Sequence, residues 1–215
     1  MRLVQEQIKT LLDRNSFILA GFAFLGVLLS SSIQAPPHDS MAMLMKIDGL
    51  LLLFMVIVTE LSKSLIIRDK QSKRMEFMLA NGVGQQDLVK QYVSTLFLTS
   101  FLLLIPALVV YVFSALVQDN VALVLWIGVS LFFIGPLACL WVTDYILYTE
   151  DLNRLSGIQM KSIAFMLILM FVSFVIYHSI PMIELYLGIK VIIFVIATLI
   201  LSHLTTTERI VRSYY

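Results

Sequence analysis

Residues 121–142 read VALVLWIGVSLFFIGPLACLWV, 22 consecutive positions without a charge. A helix of that length reaches about 33 Å, enough for the roughly 30 Å hydrocarbon core of a bilayer. In a soluble fold the run would have to be covered by polar surface, and the chain has little to offer. Of its 215 residues, 60% are hydrophobic and 13% are charged, with a mean hydropathy of +0.94. Ordinary soluble domains carry about 25% charge. These figures exclude intrinsic disorder, a disulfide-stapled secreted scaffold and a nucleic-acid-binding domain. Cys139, the single cysteine, lies inside the run and reads as a small buried hydrophobe.

Similar runs flank this one on both sides. Six spans are predicted, over residues 17–33, 47–67, 92–117, 121–142, 163–180 and 185–204. The expected fold class is all-α: a polytopic membrane protein with six transmembrane helices in a single domain, 1–215. Glu60, Ser62 and Lys63 interrupt the inner end of the second span. Pro106 and Pro136 are placed to kink the third and fourth. About 16 residues precede the first span, and they are too charged for a signal-peptide n-region, so that span reads as retained. Of the 15 lysines and arginines, 13 fall on the faces shared by the N-terminus, the second and fourth connections and the C-terminus. Only Lys46 and Lys190 fall on the other side. The positive-inside rule then puts both termini in the cytoplasm of a multi-pass plasma (inner) membrane protein. The outer connections are short: 34–46 with Pro36 and Pro37, 118–120, and the turn around Pro181 and Glu184. They leave no room for an ectodomain. The halves 1–110 and 111–215 show no similarity, so an inverted-repeat transporter gains no support.

Residues 1–15 place Val4, Ile8, Leu11 and Leu12 on one helical stripe, with Arg2, Glu6, Lys9 and Asp13 mostly elsewhere. That is the pattern of an elbow helix lying in the membrane interface, with Asn15-Ser16 as break and cap before the first span. The plainer reading is a solvated tail with helical propensity.

The cytoplasmic loop, residues 68–91, reads RDKQSKRMEFMLANGVGQQDLVKQ. Its basic start leaves the membrane. A short amphipathic helix is expected over 72–80, with Met75, Met78 and Leu79 on one side. Residues 81–84, Asn-Gly-Val-Gly, make a turn. A second helix begins near Gln85 and runs into the third span. Two helical turns are unstable alone in water, so the apolar face must dock. It docks on its own bundle, on the lipid surface, or in a groove of a partner that pushes on the spans.

This loop resembles the first cytoplasmic loop of the ABC-2 permeases, the membrane subunits of type-2 ATP-binding cassette exporters. That family has a basic start, then Gly-Thr-Leu-Glu, two leucines, Pro-Val/Ile, a polar step, and an aliphatic residue followed by Lys. Met75-Glu76 matches Leu-Glu, Met78-Leu79-Ala80 matches the aliphatic pair and its follower, and Val83, Leu88 and Lys90 match the later positions. The sequence departs at Lys73, where the family has Gly, and at Gly82, where it has Pro. The six-span layout, interfacial helix and short outer loops are also similar. The resemblance implies a permease subunit that translocates a substrate across or out of the membrane. It implies ATPase-coupling residues Lys73, Arg74, Met75, Glu76, Met78, Leu79, Gly82 and Val83, with Glu76 as the first polar contact. It also implies a second permease copy, identical or related. Lining of the path by spans 2 and 5 makes Thr59, Glu60, Ser173 and Tyr177 candidate translocation residues.

No Gly-x-x-x-x-Gly-Lys-Ser/Thr loop occurs, so the chain is not expected to be an enzyme or to bind a cofactor. ATP and Mg are expected in ABC ATPase partner subunits. The expected surroundings are the lipid bilayer, with no nucleic acid. Glu60 has a plain alternative role, pairing with Lys63 or marking the end of its span. Asp48 reads as interfacial near Lys46, and Asp144 as the inner end of the fourth span, with Tyr145 and Tyr148 as belt aromatics. Met41, Met43 and Met45 read as a lipid-facing start to the second span. His38, His178 and His203 have no metal-site spacing, and no intramembrane protease motif occurs. The competing functions are an ATP-independent secondary transporter or channel, and an assembly subunit of a membrane complex such as a heme-export or cytochrome-maturation permease. Peptide, lipid, polysaccharide, heme and drug substrates all stay open.

Overall fold

A backbone in hydrocarbon finds no water, so its N–H and C=O groups must be satisfied within the segment. The computed structural model describes residues 7–8, 11–12, 14–32, 40–118 and 120–211. It meets that constraint with helices, and those residues contain no strand. In chain order they are α1 (Arg14–Ser32), α2 (Ser40–Ser62), a π-helical turn (Lys63–Ile67), α3 (Arg68–Gln71) and α4 (Arg74–Ala80). Then follow α5 (Gln85–Val117), α6 (Val121–Tyr148), a 3-10 turn (Leu152–Gly157), α7 (Ile158–Ser179), α8 (Ile183–Leu204) and α9 (Thr207–Val211).

Five stretches are long and apolar enough to cross a membrane: Met41–Gln71, Gln85–Val117, Val121–Tyr148, Ile158–Ser179 and Ile183–Leu204. α1 supplies a shorter apolar helix, Ser16–Leu28. The chain is thus an all-helical, multi-pass membrane-type protein. Consecutive long helices run antiparallel, which gathers the ends of α2, α6 and α8 and the starts of α5 and α7 at one end. That end, the basic end, also carries α3, α4 and α9.

α2 sits at the centre, against α5, α6 and α7, while α6 also packs on α5 and α8, and α1 lies on α5. Leu50, Phe54, Val58 and Leu61 of α2 are buried with Leu96 and Leu104 of α5 and Ile134 and Ala138 of α6. Phe54 meets Phe97 edge to face, with centroids 6.2 Å apart. Gly135 makes that contact possible, because a Cβ there would lie 2.9 Å from the Phe97 ring.

Several expected boundaries move. α2 begins at Ser40, inside the expected outer loop, and helical structure continues to Gln71. Met, Ala and Leu at 41–45 favour helix, and no breaker stands between them and Asp48. Met43 and Leu44 are buried and Met45 is exposed, so the methionine cluster does not face lipid as a block. The interruption at Glu60-Ser62-Lys63 becomes the π-helical turn rather than an end. There the Ser62 hydroxyl donates to Thr59 O (2.7 Å) and the Ser64 hydroxyl to Leu61 O (3.0 Å). α6 passes Val142 and runs to Tyr148, and Asp144 is buried within it. Neither Pro106 nor Pro136 ends its helix.

Asn15 and Ser16 lie in the first turn of α1, not before it, and the Ser16 hydroxyl donates to Leu11 O. Most of the expected elbow helix lies outside the described residues, as do Pro36, Pro37 and His38. Within the described part Leu11 is buried, and Thr95 of α5 donates to Gln7 Oε1 (3.1 Å).

Candidate functional site

The loop at 68–84 is built around two adjacent buried charges of α3. Asp69 accepts from the Tyr92 hydroxyl of α5 (2.9 Å) and pairs with Arg74 of α4 (3.6 Å). Lys70 points the other way and donates to three carbonyls at the end of α6: Ile146 O (3.1 Å), Leu147 O (3.0 Å) and Thr149 O (2.6 Å). A helix end carries unpaired carbonyls and partial negative charge, and an ammonium with three donors satisfies both. Two residues therefore tie the continuation of α2 to α4, α5 and α6. The start of α5 is tied in turn to the end of α8, through Gln85 Nε2 donating to Thr205 O (2.9 Å). Arg209 of α9 pairs with Glu150 (3.8 Å) and lies over the Tyr148 ring, 4.5 Å from its centroid.

α4 follows the expected helix, shortened to Arg74–Ala80. Its apolar face turns toward its own bundle. Met75 is 1% exposed, and Met78 and Leu79 are half-buried against the core. What faces outward is Lys73, Arg74, Glu76 and Phe77, with Phe77 70% exposed. Lys73 holds a left-handed backbone (φ 57°, ψ 17°), a conformation that favours glycine. α4 ends on a glycine cap: Val83 N donates to Met78 O and Gly82 N to Leu79 O, both at 3.1 Å, with Gly82 at φ 83°. Val83 is half-buried beside it.

The four expected path residues do not meet. Thr59 is buried, and its hydroxyl bonds back to Met55 O and Val56 O of its own helix, each at 3.0 Å. Glu60 pairs with Lys63 (2.6 Å), which also reaches Gln159 of α7 (3.2 Å). Ser173 is buried, with no partner for its hydroxyl among the described residues. Tyr177 is half-buried and meets Tyr186 edge to face at 5.9 Å. Thr59 and Glu60 lie near the basic end of α2, whereas Ser173 and Tyr177 lie toward the other end of α7.

A second charged cluster, unforeseen, sits at the opposite end. Asp48 of α2 and Lys190 of α8 form an ion pair, and Asp48 also accepts from the Tyr186 hydroxyl. Asp48 is 2% exposed and Lys190 is fully buried, so both charges lie inside the bundle. The Lys190 ammonium also lies 3.8 Å from the Tyr186 ring centroid. The readable signal was parity: in an up-and-down bundle, both opposite charges fall a few residues inside the same end. Among the described residues no three metal-ligating side chains cluster.

No protein-family profile, curated protein or solved structure matches the chain.

Two outcomes follow from this geometry. Lys190→Met leaves Asp48 buried with only a hydroxyl and should cost about 3 kcal/mol or more in unfolding of the purified protein. Adding Asp48→Asn should recover most of that loss, and equal losses in the single and double variants would contradict the pairing. Lys73→Gly should relieve the left-handed backbone by about 1 kcal/mol. Amide exchange within α4 should slow accordingly, and unchanged or faster exchange would count against the strain.

Proposed function

We propose that this chain is the membrane subunit of an ATP-binding cassette exporter of the ABC-2 permease type. In this reading α1 is a sixth span and the basic end faces the cytoplasm of the plasma (inner) membrane. Two permease copies, identical or related, work with two ATPase subunits that bind ATP and Mg and supply the stroke.

The observation that carries the reading is the wiring of the 68–84 loop. α4 presents Lys73, Arg74, Glu76 and Phe77 to the outside. Behind it, Asp69 and Lys70 bind its base to α5 and α6. A load applied to α4 cannot be absorbed by a slack loop. It passes into the continuation of α2 and into two neighbouring helices. Lys73 replaces the family's glycine, yet its backbone has the left-handed shape that glycine favours. Gly82 replaces the family's proline and departs in geometry too, since φ 83° is closed to proline. The turn is retained as a glycine cap.

One observation favours a second reading. The buried Asp48–Lys190 pair is the kind of intramembrane charge that marks ion or proton pathways, as an ATP-independent transporter would need. The two readings differ in whether transport stops when ATP hydrolysis is blocked. In an assembly subunit, such as a heme-export or cytochrome-maturation permease, the same loop would bind a partner without turnover.

The test is co-purification with candidate ATP-binding cassette subunits. Replacing Glu76 by Lys and Phe77 by Ala should lower the recovered ATPase about tenfold, the size of a contact hot spot. Phe132→Ala, on the exposed face of α6, should leave recovery unchanged. Assembly and coupled hydrolysis that survive both loop changes would show that α4 is not the docking element.

A further inference from the structure

A cavity of about 420 Å³ opens at the basic end, between the end of α6, the 3-10 turn, the start of α7, and α9. Its size falls in the roughly 300–1,000 Å³ range of ligand pockets. Arg154, Lys161 and Arg209 border it, against the carboxylates Glu150 and Asp151. The carboxylates do not use up the cations. Arg154 pairs with Asp151 through Nε (3.3 Å), and Arg209 with Glu150 through Nε (3.8 Å). Among the described residues the terminal amino groups of both guanidiniums are left for another acceptor. Lys161 donates, among the described residues, only to uncharged oxygens, the Tyr145 hydroxyl (2.8 Å) and Arg154 O (3.3 Å). Its ammonium has a third donor.

α7 extends this site along the bundle. Lys161, Ala164, Ile168, Phe171 and Val175 succeed one another at three- and four-residue steps, and all are exposed. One helical stripe therefore leads from the ammonium onto bare apolar surface. A ligand that fits both parts has an anionic head and a hydrocarbon tail.

We propose that this cavity binds the phosphate headgroup of an anionic phospholipid, whose acyl chains lie along the α7 stripe. The cations meet the phosphate by charge-assisted hydrogen bonds, and the stripe keeps the tail in the bilayer. The site does not depend on an ATPase partner.

The test is lipid retention by the purified full chain in native mass spectrometry. The probes are phosphatidylglycerol, phosphatidylcholine with the same chains, and inorganic phosphate. Phosphatidylglycerol should be retained over phosphatidylcholine. Its affinity should fall about fivefold for each of Lys161→Gln and Arg154→Gln. Both side chains are exposed, so unfolding midpoints should not move. Arg68→Gln removes the same charge at the same end and should change nothing. Equal binding of the two lipids, or an equal loss in Arg68→Gln, would overturn the proposal. So would displacement of the lipid by inorganic phosphate, which would make this a site for free phosphate.

Discussion

Lys70 places its ammonium among the last carbonyls of α6, and the basic end of the bundle is organised around that contact. Those carbonyls have no partner within their own helix, and Lys70 supplies donors to three of them. Asp69, the next residue, takes the Tyr92 hydroxyl and the Arg74 side chain. Two neighbouring residues of opposite charge thus face opposite ways and fix α3 between α5 and α6. α4 follows after two residues, and it inherits that position. The constraint is stiff because Asp69 and Lys70 are both buried, where a lost contact would leave an unpaired group in a poor solvent.

α2 is held at both ends. At the basic end its continuation carries Asp69 and Lys70. At the other end Asp48 is paired with Lys190 and Tyr186 of α8. A buried ion pair is weak evidence for net stability, since desolvation offsets much of the attraction. It does define the register seen here, with Asp48 of α2 facing Lys190 and Tyr186 of α8. Between these anchors lies the π-helical turn Lys63–Ile67, where the intrahelical bonding pattern changes. Such turns are rare and often sit at functional sites. α2 is thus anchored on either side of that turn, by Asp48 on one side and by Asp69 and Lys70 on the other.

The long helices were legible in the sequence because hydrocarbon leaves so few choices: an uncharged run of sufficient length must be helical. Their ends were less legible. α2 begins at Ser40, since Met, Ala and Leu carry it past the point where polar residues begin, and α6 ends at Tyr148, where Asp144 and its neighbours are buried in the bundle. The amphipathic stripe of α4 was readable, but not which body would cover it, and Met75 turns inward. The charges were the hardest to read. Asp48 and Lys190 are 142 residues apart, and only the folded bundle brings them together. Lys70 looked like one more basic residue in a basic loop. Its acceptors are backbone carbonyls, which carry no sequence signature at all.

The proposed function puts a motor subunit on the outer face of α4. It is tested most directly by placing a photo-crosslinking amino acid at Phe77 and irradiating membranes that hold the chain with candidate ATP-binding cassette subunits. An adduct with the ATPase is expected at Phe77, and none at Met75, which is buried, or at Ile168, which is exposed on α7. Absence of that adduct at Phe77, or equal adducts at Ile168, would contradict it.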